Sequence, residues 1–307
     1  MVTQCFGARS LGFGVEAFNS AVPAEAKNSL VFSPLSFEFD SVIMADAYEP
    51  ITKAHIAETL GVLSDLVVTY EPLMRYYNET AATNHITFLS ARAFLVPDYD
   101  KVSAAYRQET QRNYGAEVAI RFPPQGPQTW FRTKLDGMFE DFELPPNVAA
   151  MEVNSFYDVL YVSVEAEGEK VTGKVTPYAK FDLEKIPLQG EAELYIARPK
   201  EGVSLAELRN EISEANIDEL VNVVGESKVL TVPYISLTSN LNIARPMQKF
   251  QFPTSGYLRL NGGLKGREFH QYCRFRLNGR KSKAAMVFFV YHRPTNSILV
   301  MGQTTGK

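Results

Sequence analysis

An α+β fold in one domain is what the sequence predicts, on three observations. Helical and strand-like patterns alternate irregularly along the 307 residues, whereas repeating βαβ units would indicate a parallel sheet. Aromatic residues make up 12% of the chain, and flat rings pack well on pleated layers. No linker rich in proline, glycine and serine divides the chain, so residues 1–307 are interpreted as a single domain.

Helices are predicted first near the N-terminus. Leu11, Val15 and Phe18 recur at spacings of four and three, as the buried face of a helix does. Ser33 followed by Pro34 is typical of a helix start, because serine caps the first turn and proline suits its geometry. Further helical patterns cover residues 52–60, 102–114, 129–139 and 204–220.

Strands account for most of the other predicted elements. Residues 86–96 are largely apolar on both alternating faces, which indicates a central strand that is covered on both sides. The polar, glycine-containing stretch 165–176 is predicted to be a loop or a hairpin. The remaining predicted strands are 149–162, 191–197, 228–235, 257–260, 270–277, 286–292 and 297–301.

Charge and cysteine content limit the classes of partner and scaffold. The net charge is −4 and the isoelectric point about 5.7, so nothing global indicates a nucleic acid or an anionic membrane. Cys5 and Cys273 are too few for a disulfide framework or a metal cluster; isolated buried thiols are the favoured interpretation, and a single bridge stays open. Since no long apolar stretch and no signal peptide is visible, an intracellular location is expected if Met1 is the native start.

No catalytic constellation is visible in the sequence. Residues 168–175 approach a phosphate-binding P-loop, but Val175 stands where a serine or threonine must hold the metal ion. None of the four histidines has a partner at metal-ligand spacing on one element. We therefore predict that the protein is not an enzyme and uses neither a cofactor nor a metal.

Six segments, taken in order, resemble the serpin family. They are 28–36 (NSLVFSPLS), 114–118 (YGAEV), 130–145, 153–157 (VNSFY), 269–270 (FH) and the closing pair 288–292 (FFVYH) with 296–302 (NSILVMG). The resemblance extends over nearly the whole chain. It implies an α+β, serpin-like fold with a large mixed central β-sheet, further smaller sheets and about eight helices.

The resemblance also implies a polar cluster beneath the large sheet, where its central strands separate. Its members in this chain are Ser33, Ser36, Asn154 and His270. A buried asparagine and a buried histidine need hydrogen-bond partners, and two serine hydroxyls at the head of a buried helix can supply them. These four residues are therefore expected to be structural and not catalytic.

The chain departs from the family after the strand that begins at His270. Working serpins carry there a hinge of small residues and a long exposed loop, which a protease cleaves and which then inserts into the sheet. Here Asn278 and Gly279 predict a tight turn. About eight residues, or ~26 Å of extended chain, precede the next strand. Basic residues also replace the small hinge, and burying them unpaired is costly. We expect inhibition by loop insertion to be absent.

A basic segment overlaps this connection. From residue 259 to residue 283 the chain has eight lysines and arginines and one acid, so this segment carries +7 and the remainder −11. The cations are Arg259, Lys265, Arg267, Arg274, Arg276, Arg280, Lys281 and Lys283. One interpretation is a positive patch for an acidic protein, a polyanion or, with weaker support, a nucleic acid. The other is a solvated strand face whose arginines pair with the acidic remainder.

Three hypotheses of function follow from the resemblance and its departures. The favoured one is a non-inhibitory, macromolecule-binding or scaffold protein of serpin fold, as in a virus or pathogen that reused the fold. The alternative is a serine or cysteine protease inhibitor that presents residues 280–283 (RKSK) as a short basic bait. The third is a carrier of small hydrophobic ligands, which no sequence feature selects.

Overall fold

A computed structural model describes most of the chain. The described residues are 11–48, 50–62, 65–79, 85–96, 102–119, 126–139, 141–150, 155–214, 217–253 and 268–306. Among them, no helix has both the length and the apolar character that a membrane crossing requires.

Ten α-helices occur among the described residues, two more than the eight expected. They are α1 (Leu11–Ala21), α2 (Pro34–Ala45), α3 (Pro50–Thr59), α4 (Leu66–Glu79), α5 (Ala104–Tyr114), α6 (Gly126–Lys134), α7 (Pro146–Ala149), α8 (Leu205–Glu214), α9 (Ile217–Val221) and α10 (Ala244–Lys249).

Twelve strands in the described ranges form two sheets, which confirms the α+β class. The strands are β1 (Leu30–Phe32), β2 (Ile86–Leu95), β3 (Glu117–Ala119), β4 (Ser155–Val164), β5 (Lys170–Pro177), β6 (Phe181–Pro187), β7 (Ala192–Pro199), β8 (Glu226–Thr231), β9 (Ile235–Asn242), β10 (Glu268–Leu277), β11 (Ala285–His292) and β12 (Ser297–Thr305).

The mixed sheet predicted to be the large one is the smaller of the two. It has five strands in the order β3-β2-β4-β10-β9, with β2 and β3 parallel and β4 and β10 parallel. The seven-stranded sheet has the order β1-β12-β11-β7-β6-β5-β8 and is antiparallel throughout.

The mixed sheet separates two cores because successive side chains of a strand point to opposite faces. On β4, Phe156 and Leu160 belong to the main core, which also contains α1, α2 and much of the seven-stranded sheet. Tyr157, Val159 and Tyr161 pack on the other face against α6 and the turn that follows it. The same alternation along β10 decides which of its side chains can meet.

Helix α2 begins where the sequence predicts and lies wholly inside the main core. The side chain of Ser33 caps it, since Ser33 Oγ accepts a hydrogen bond from the Ser36 backbone N–H at 3.1 Å. Every residue of α2 is buried. Any polar side chain on this helix must therefore find its partner within the protein.

Several elements differ from the sequence-based predictions. The stretch predicted to be a loop or a hairpin contains β5, which forms an antiparallel hairpin with β6, and pairing with β8 on its other side keeps this polar segment extended. Helix α4 was not predicted; it contains Pro72, yet it buries Tyr70, Leu73 and Tyr77. The elements β6, β9 and α10 were also missed. The predicted strand 257–260 lies outside the described residues.

Candidate functional site: the strand β10 and its connection to β11

A network of buried polar side chains lies between the mixed sheet and α2. Ser33 is at its centre: its N–H donates to Gln271 Oε1 at 2.7 Å, and Gln271 Nε2 donates back to the Ser33 carbonyl at 3.0 Å. Ser33 Oγ donates to the Leu299 carbonyl at 2.6 Å. These bonds tie the start of α2 to both β10 and β12.

Arg92 extends this network across the sheet. Its Nη2 donates to Ser36 Oγ at 2.6 Å, and its Nε donates to Asp40 Oδ1 at 3.1 Å. The Asp158 carboxylate lies 3.5 Å from the same Nε. Burial and the neighbouring Asp158 raise the pKa of Asp40 well above its ordinary value, against the lowering effect of Arg92. Two buried carboxyls therefore share one cation, and the raised pKa values of Asp40 and Asp158 favour retention of one proton on the pair.

Only part of the predicted polar cluster is assembled in this network. Ser33 and Ser36 lie in it, as the resemblance implied, whereas Asn154 lies outside the described residues. His270 is on the opposite face of β10, because it differs by one position from Gln271, whose side chain reaches Ser33. The placement of His270 in the cluster is thus corrected, and Gln271 occupies that position.

His270 has different partners on its own face. Its Nδ1 lies 2.8 Å from Asn240 Oδ1, and its ring stacks on Tyr157 with centroids 5.1 Å apart. Burial lowers the pKa of His270, and the charge of Glu268 opposes that shift. The imidazole joins β9, β10 and β4 on the face that α6 covers.

The main network members that sequence reasoning missed share one feature. Arg92, Asp158 and Asp40 are charged residues in elements that are mostly apolar and mostly buried. A charged residue inside a buried apolar run is the informative exception to the inside–outside rule. That signal was available in the sequence, although it does not reveal which residues pair.

The described members of the predicted basic patch are of two kinds, one engaged within the protein and the others exposed. Arg274 is engaged: its guanidinium contacts both Asp141 oxygens at 2.5 and 2.6 Å, donates to the Met138 carbonyl at 2.7 Å and lies over the Phe139 ring. This hydrogen bonding lowers the pKa of Asp141. The exposed members are Arg276, Arg280, Lys281 and Lys283, and the three members outside the described residues are Arg259, Lys265 and Arg267.

Residues 278–284 connect the two sheets, and backbone hydrogen bonds hold this connection. Arg280 N donates to the Val232 carbonyl at 2.9 Å, and Tyr234 N donates to the Arg280 carbonyl at 2.9 Å. Further along, Thr304 Oγ1 donates to the Ala284 carbonyl at 3.2 Å. The connection therefore lies against the protein near both of its ends.

A shallow cavity of about 320 Å³ lies beside the connection. Tyr234 and Leu237 supply apolar surface to it, and Lys281 and Lys283 also line it. No carboxylate of the described residues pairs with Arg280, Lys281 or Lys283. The site thus combines apolar surface with uncompensated positive charge.

Neither thiol chemistry nor a metal centre is evident at this site in the described ranges. Cys273 has a free thiol on the core face of β10, and burial raises its pKa well above the ordinary value. Cys5 lies outside the described residues. No group of three potential metal ligands comes together in the part of the chain that the structure describes.

Known structures resemble this arrangement over their full length. Native protease nexin-1, solved with heparin, superposes with a TM-score of 0.75 at 14% identity, covering 96% of this chain and 97% of that chain. Two structures of a tumour suppressing serpin give a TM-score of 0.73 at 11% identity, with 99% of this chain covered and 99% and 98% of theirs. No protein-family model and no curated protein sequence matches the chain.

Proposed function

Since the chain has a serpin-like fold, we propose that it is a non-inhibitory binding or scaffold protein and not an enzyme. Its partner is an acidic macromolecule, either a protein or a polyanion. The exposed basic connection 278–284 is the surface that binds it. The observation that carries this proposal is the anchoring of that connection, which keeps its backbone against the protein and leaves its cationic side chains in solvent.

A short anchored connection argues against inhibition by insertion. Seven residues separate β10 from β11, which belong to different sheets. β4 and β10 are already paired along ten residues, so an inserted strand would have to break that whole ladder. The segment that would enter carries Arg280, Lys281 and Lys283, and burying three cations without partners would cost several kcal/mol each.

The charge of the connection supports an acidic partner. Arg280, Lys281 and Lys283 lie within four residues and are exposed, and like charges crowded together attract anions by a combined field. One of the similar serpins, protease nexin-1, was solved with heparin. That finding belongs to the other protein, and it is consistent with a polyanion as the partner class here.

Neutralising the connection tests this function. We would measure binding of a heparin fragment and of poly-glutamate by fluorescence anisotropy, with Arg280, Lys281 and Lys283 all replaced by Gln. We expect affinity to fall about tenfold or more, and the salt dependence of binding to weaken. The matched control replaces three exposed cations elsewhere, Lys27, Arg112 and Arg245, by Gln. Equal losses in both variants would indicate general charge attraction and would sink the proposal.

A basic bait for a trypsin-like protease is the competing function. The exposed side chains of Arg280 and Lys281 favour it, since such enzymes cleave after arginine and lysine. The backbone opposes it, because both the N–H and the carbonyl of Arg280 are already bonded within the protein. A protease cleft would have to replace these two hydrogen bonds before it could hold the chain.

A further inference from the structure

A second, smaller cavity lies on the face of the mixed sheet that α6 covers. Its volume is about 180 Å³. It opens between the strands β4, β10 and β9 and the turn that follows α6. Its lining residues are Met138, Tyr161, Ser236, Thr238, Arg274 and Arg276. Arg276 is an exposed member of the basic patch but lies outside the connection 278–284, and Ser236 also lines the cavity beside that connection.

Strand register brings these side chains together. Arg274 and Arg276 are two positions apart on β10, so both point to this face. On β9, Ser236 lies opposite Arg276 and Thr238 lies opposite Arg274. On β4, Tyr161 lies opposite Arg274. Three neighbouring strands therefore contribute two guanidinium groups and three hydroxyls to one small space.

The two arginines differ in their partners. Arg274 is held by Asp141, by the Met138 carbonyl and by Thr238 Oγ1 at 3.1 Å. Arg276 is exposed, and no described residue forms an ion pair or a side-chain hydrogen bond with it. The cavity thus has a positioned arginine that pairs with Asp141, and a second arginine that no described carboxylate pairs with.

We propose that this cavity binds a tetrahedral oxyanion, the phosphate or sulfate group of a monoester. A planar guanidinium binds such a group through two parallel N–H···O bonds, and three terminal oxygens can accept from Arg276 and from hydroxyl donors together. Ser236 and Tyr161 supply hydroxyls that no described group engages. A carboxylate has one oxygen fewer and matches this donor set less well.

This site concerns a small ligand group and does not depend on the macromolecular partner proposed above. The monoester would bind on the face of β10 that α6 covers, whereas the macromolecular partner would bind the connection that follows β10. Neutralising residues 280, 281 and 283 removes no donor from the cavity, so it should weaken monoester binding much less than Arg276→Gln does. Failure of either proposal therefore leaves the other standing.

Calorimetric titration of the whole chain with defined probes tests the proposal. The probes are phenyl phosphate, phenyl sulfate and benzoate, at one fixed ionic strength. We expect saturable binding at one site for at least one of the two monoesters, and benzoate to bind about tenfold more weakly. A rise in affinity between pH 5.5 and pH 7.5 for phenyl phosphate alone would identify the phosphate dianion as the better ligand. If the affinities for phenyl phosphate and phenyl sulfate do not differ in their pH dependence, a singly charged sulfate group is sufficient for binding.

Variants assign the binding to the cavity. Arg276→Gln should weaken binding about tenfold or more, and Ser236→Ala by several-fold, because each removes a direct donor. Both residues are exposed, so the thermal unfolding of these variants should match that of the unmodified protein. The matched control is Arg245→Gln, which removes one exposed charge on α10, beyond the far end of β9.

Two results would overturn the proposal. One is the absence of saturable binding for both monoesters at millimolar concentration. The other is an equal loss of monoester affinity in Arg276→Gln and Arg245→Gln, which would show that the net charge attracts the anion and that the cavity is not a binding site.

Discussion

Arg92 shows how one residue determines the protonation of its surroundings. It is buried with Asp40 and Asp158 on either side, and a single cation cannot neutralise two carboxylates. Desolvation raises the pKa of both carboxyls, which favours retention of one proton on the pair. Arg92 also joins the pair to the cap of α2, since it donates to Ser36.

Replacing Asp40 by Asn should change the dependence of stability on pH. A carboxyl whose folded pKa is raised stabilises the fold below its unfolded pKa, and that contribution is lost as pH rises. From about pH 4 upward, the unmodified protein should lose about 1.4 kcal/mol per pH unit relative to Asp40→Asn, up to the folded pKa. Urea unfolding at several pH values measures this difference.

Arg92→Met is the companion change, and we expect it to destabilise the fold. It leaves an ionised carboxylate buried without its cation, which should lower the free energy of unfolding by about 3 kcal/mol or more. Parallel pH curves for Asp40→Asn and the unmodified protein would show that no proton is retained. An Arg92→Met variant with an unchanged free energy of unfolding would contradict the ion pairing.

His292 gives a second prediction at the residue scale, with the opposite sign of pH dependence. It is buried, its Nδ1 lies 2.9 Å from the Tyr77 hydroxyl and 2.7 Å from Thr295 Oγ1, and burial lowers its pKa to about 4. Between pH 6.5 and pH 4 the unfolded chain binds a proton that the folded chain does not. The free energy of unfolding therefore falls as pH falls through this window.

The variant His292→Gln isolates this effect. Between pH 7.5 and pH 5 the unmodified protein should lose about 2 kcal/mol more than the variant. Urea unfolding at the two pH values measures the loss, and His85→Gln, at an exposed position, is the matched control. If the unmodified protein and His292→Gln lose the same free energy, the fold does not lower the pKa of His292.

At the scale of elements, the connection after β10 depends on the absence of a side chain at Gly279. A Cβ added there would lie 2.4 Å from the Val232 carbonyl oxygen and 2.6 Å from that of Pro233. Only glycine allows the two backbones to approach so closely. This approach is what permits the hydrogen bonds of Arg280 to Val232 and Tyr234.

Gly279→Ala should therefore release the connection. We expect trypsin to cleave after Arg280 or Lys281 about tenfold faster or more, because cleavage needs the local backbone to detach. Timed digestion followed by intact mass measurement records the rate. Gly168→Ala is the matched control, since an added Cβ there meets no atom within 4 Å. Equal rates in both variants would show that the connection is not held by these contacts.

The elements also show what sequence patterns can predict. α1, α2 with its Ser33 cap, β2 and β10 to β12 have strong periodicity, and the structure confirms them. β5 and β9 are polar and exposed on alternate positions, so only their pairing with neighbours makes them strands. Helix α4 has Pro72 in its interior, where a sequence pattern predicts an interruption.

The candidate site was predictable only in part, for a reason of strand geometry. The described cations of the predicted patch lie on β10 and on the connection, yet the sequence could not show that Arg274 pairs with Asp141 while no described residue pairs with Arg276. Asp141 is 133 positions away, and no local pattern relates the two. The network likewise contains Gln271 and not the predicted His270, because neighbouring residues of a strand point to opposite faces of the sheet.

At the scale of the whole molecule, the serpin-like fold is retained while the part between β10 and β11 is short. The mixed sheet is closed at its centre, since β4 and β10 pair over ten residues. On the function proposed above the chain inserts no strand, and we expect its fold to serve as a stable frame for binding surfaces. The basic connection and the arginine cavity adjoin each other on that frame, since Ser236 lines the cavities at both.

The most direct test of this account is exposure of the protein to a panel of serine and cysteine proteases. Denaturing gels and intact mass measurement would follow the products. We predict either resistance or simple cleavage within residues 280–283, with no adduct that survives heat and detergent. A stable covalent adduct whose attachment site lies in residues 278–284 would contradict the account and make the protein an inhibitor.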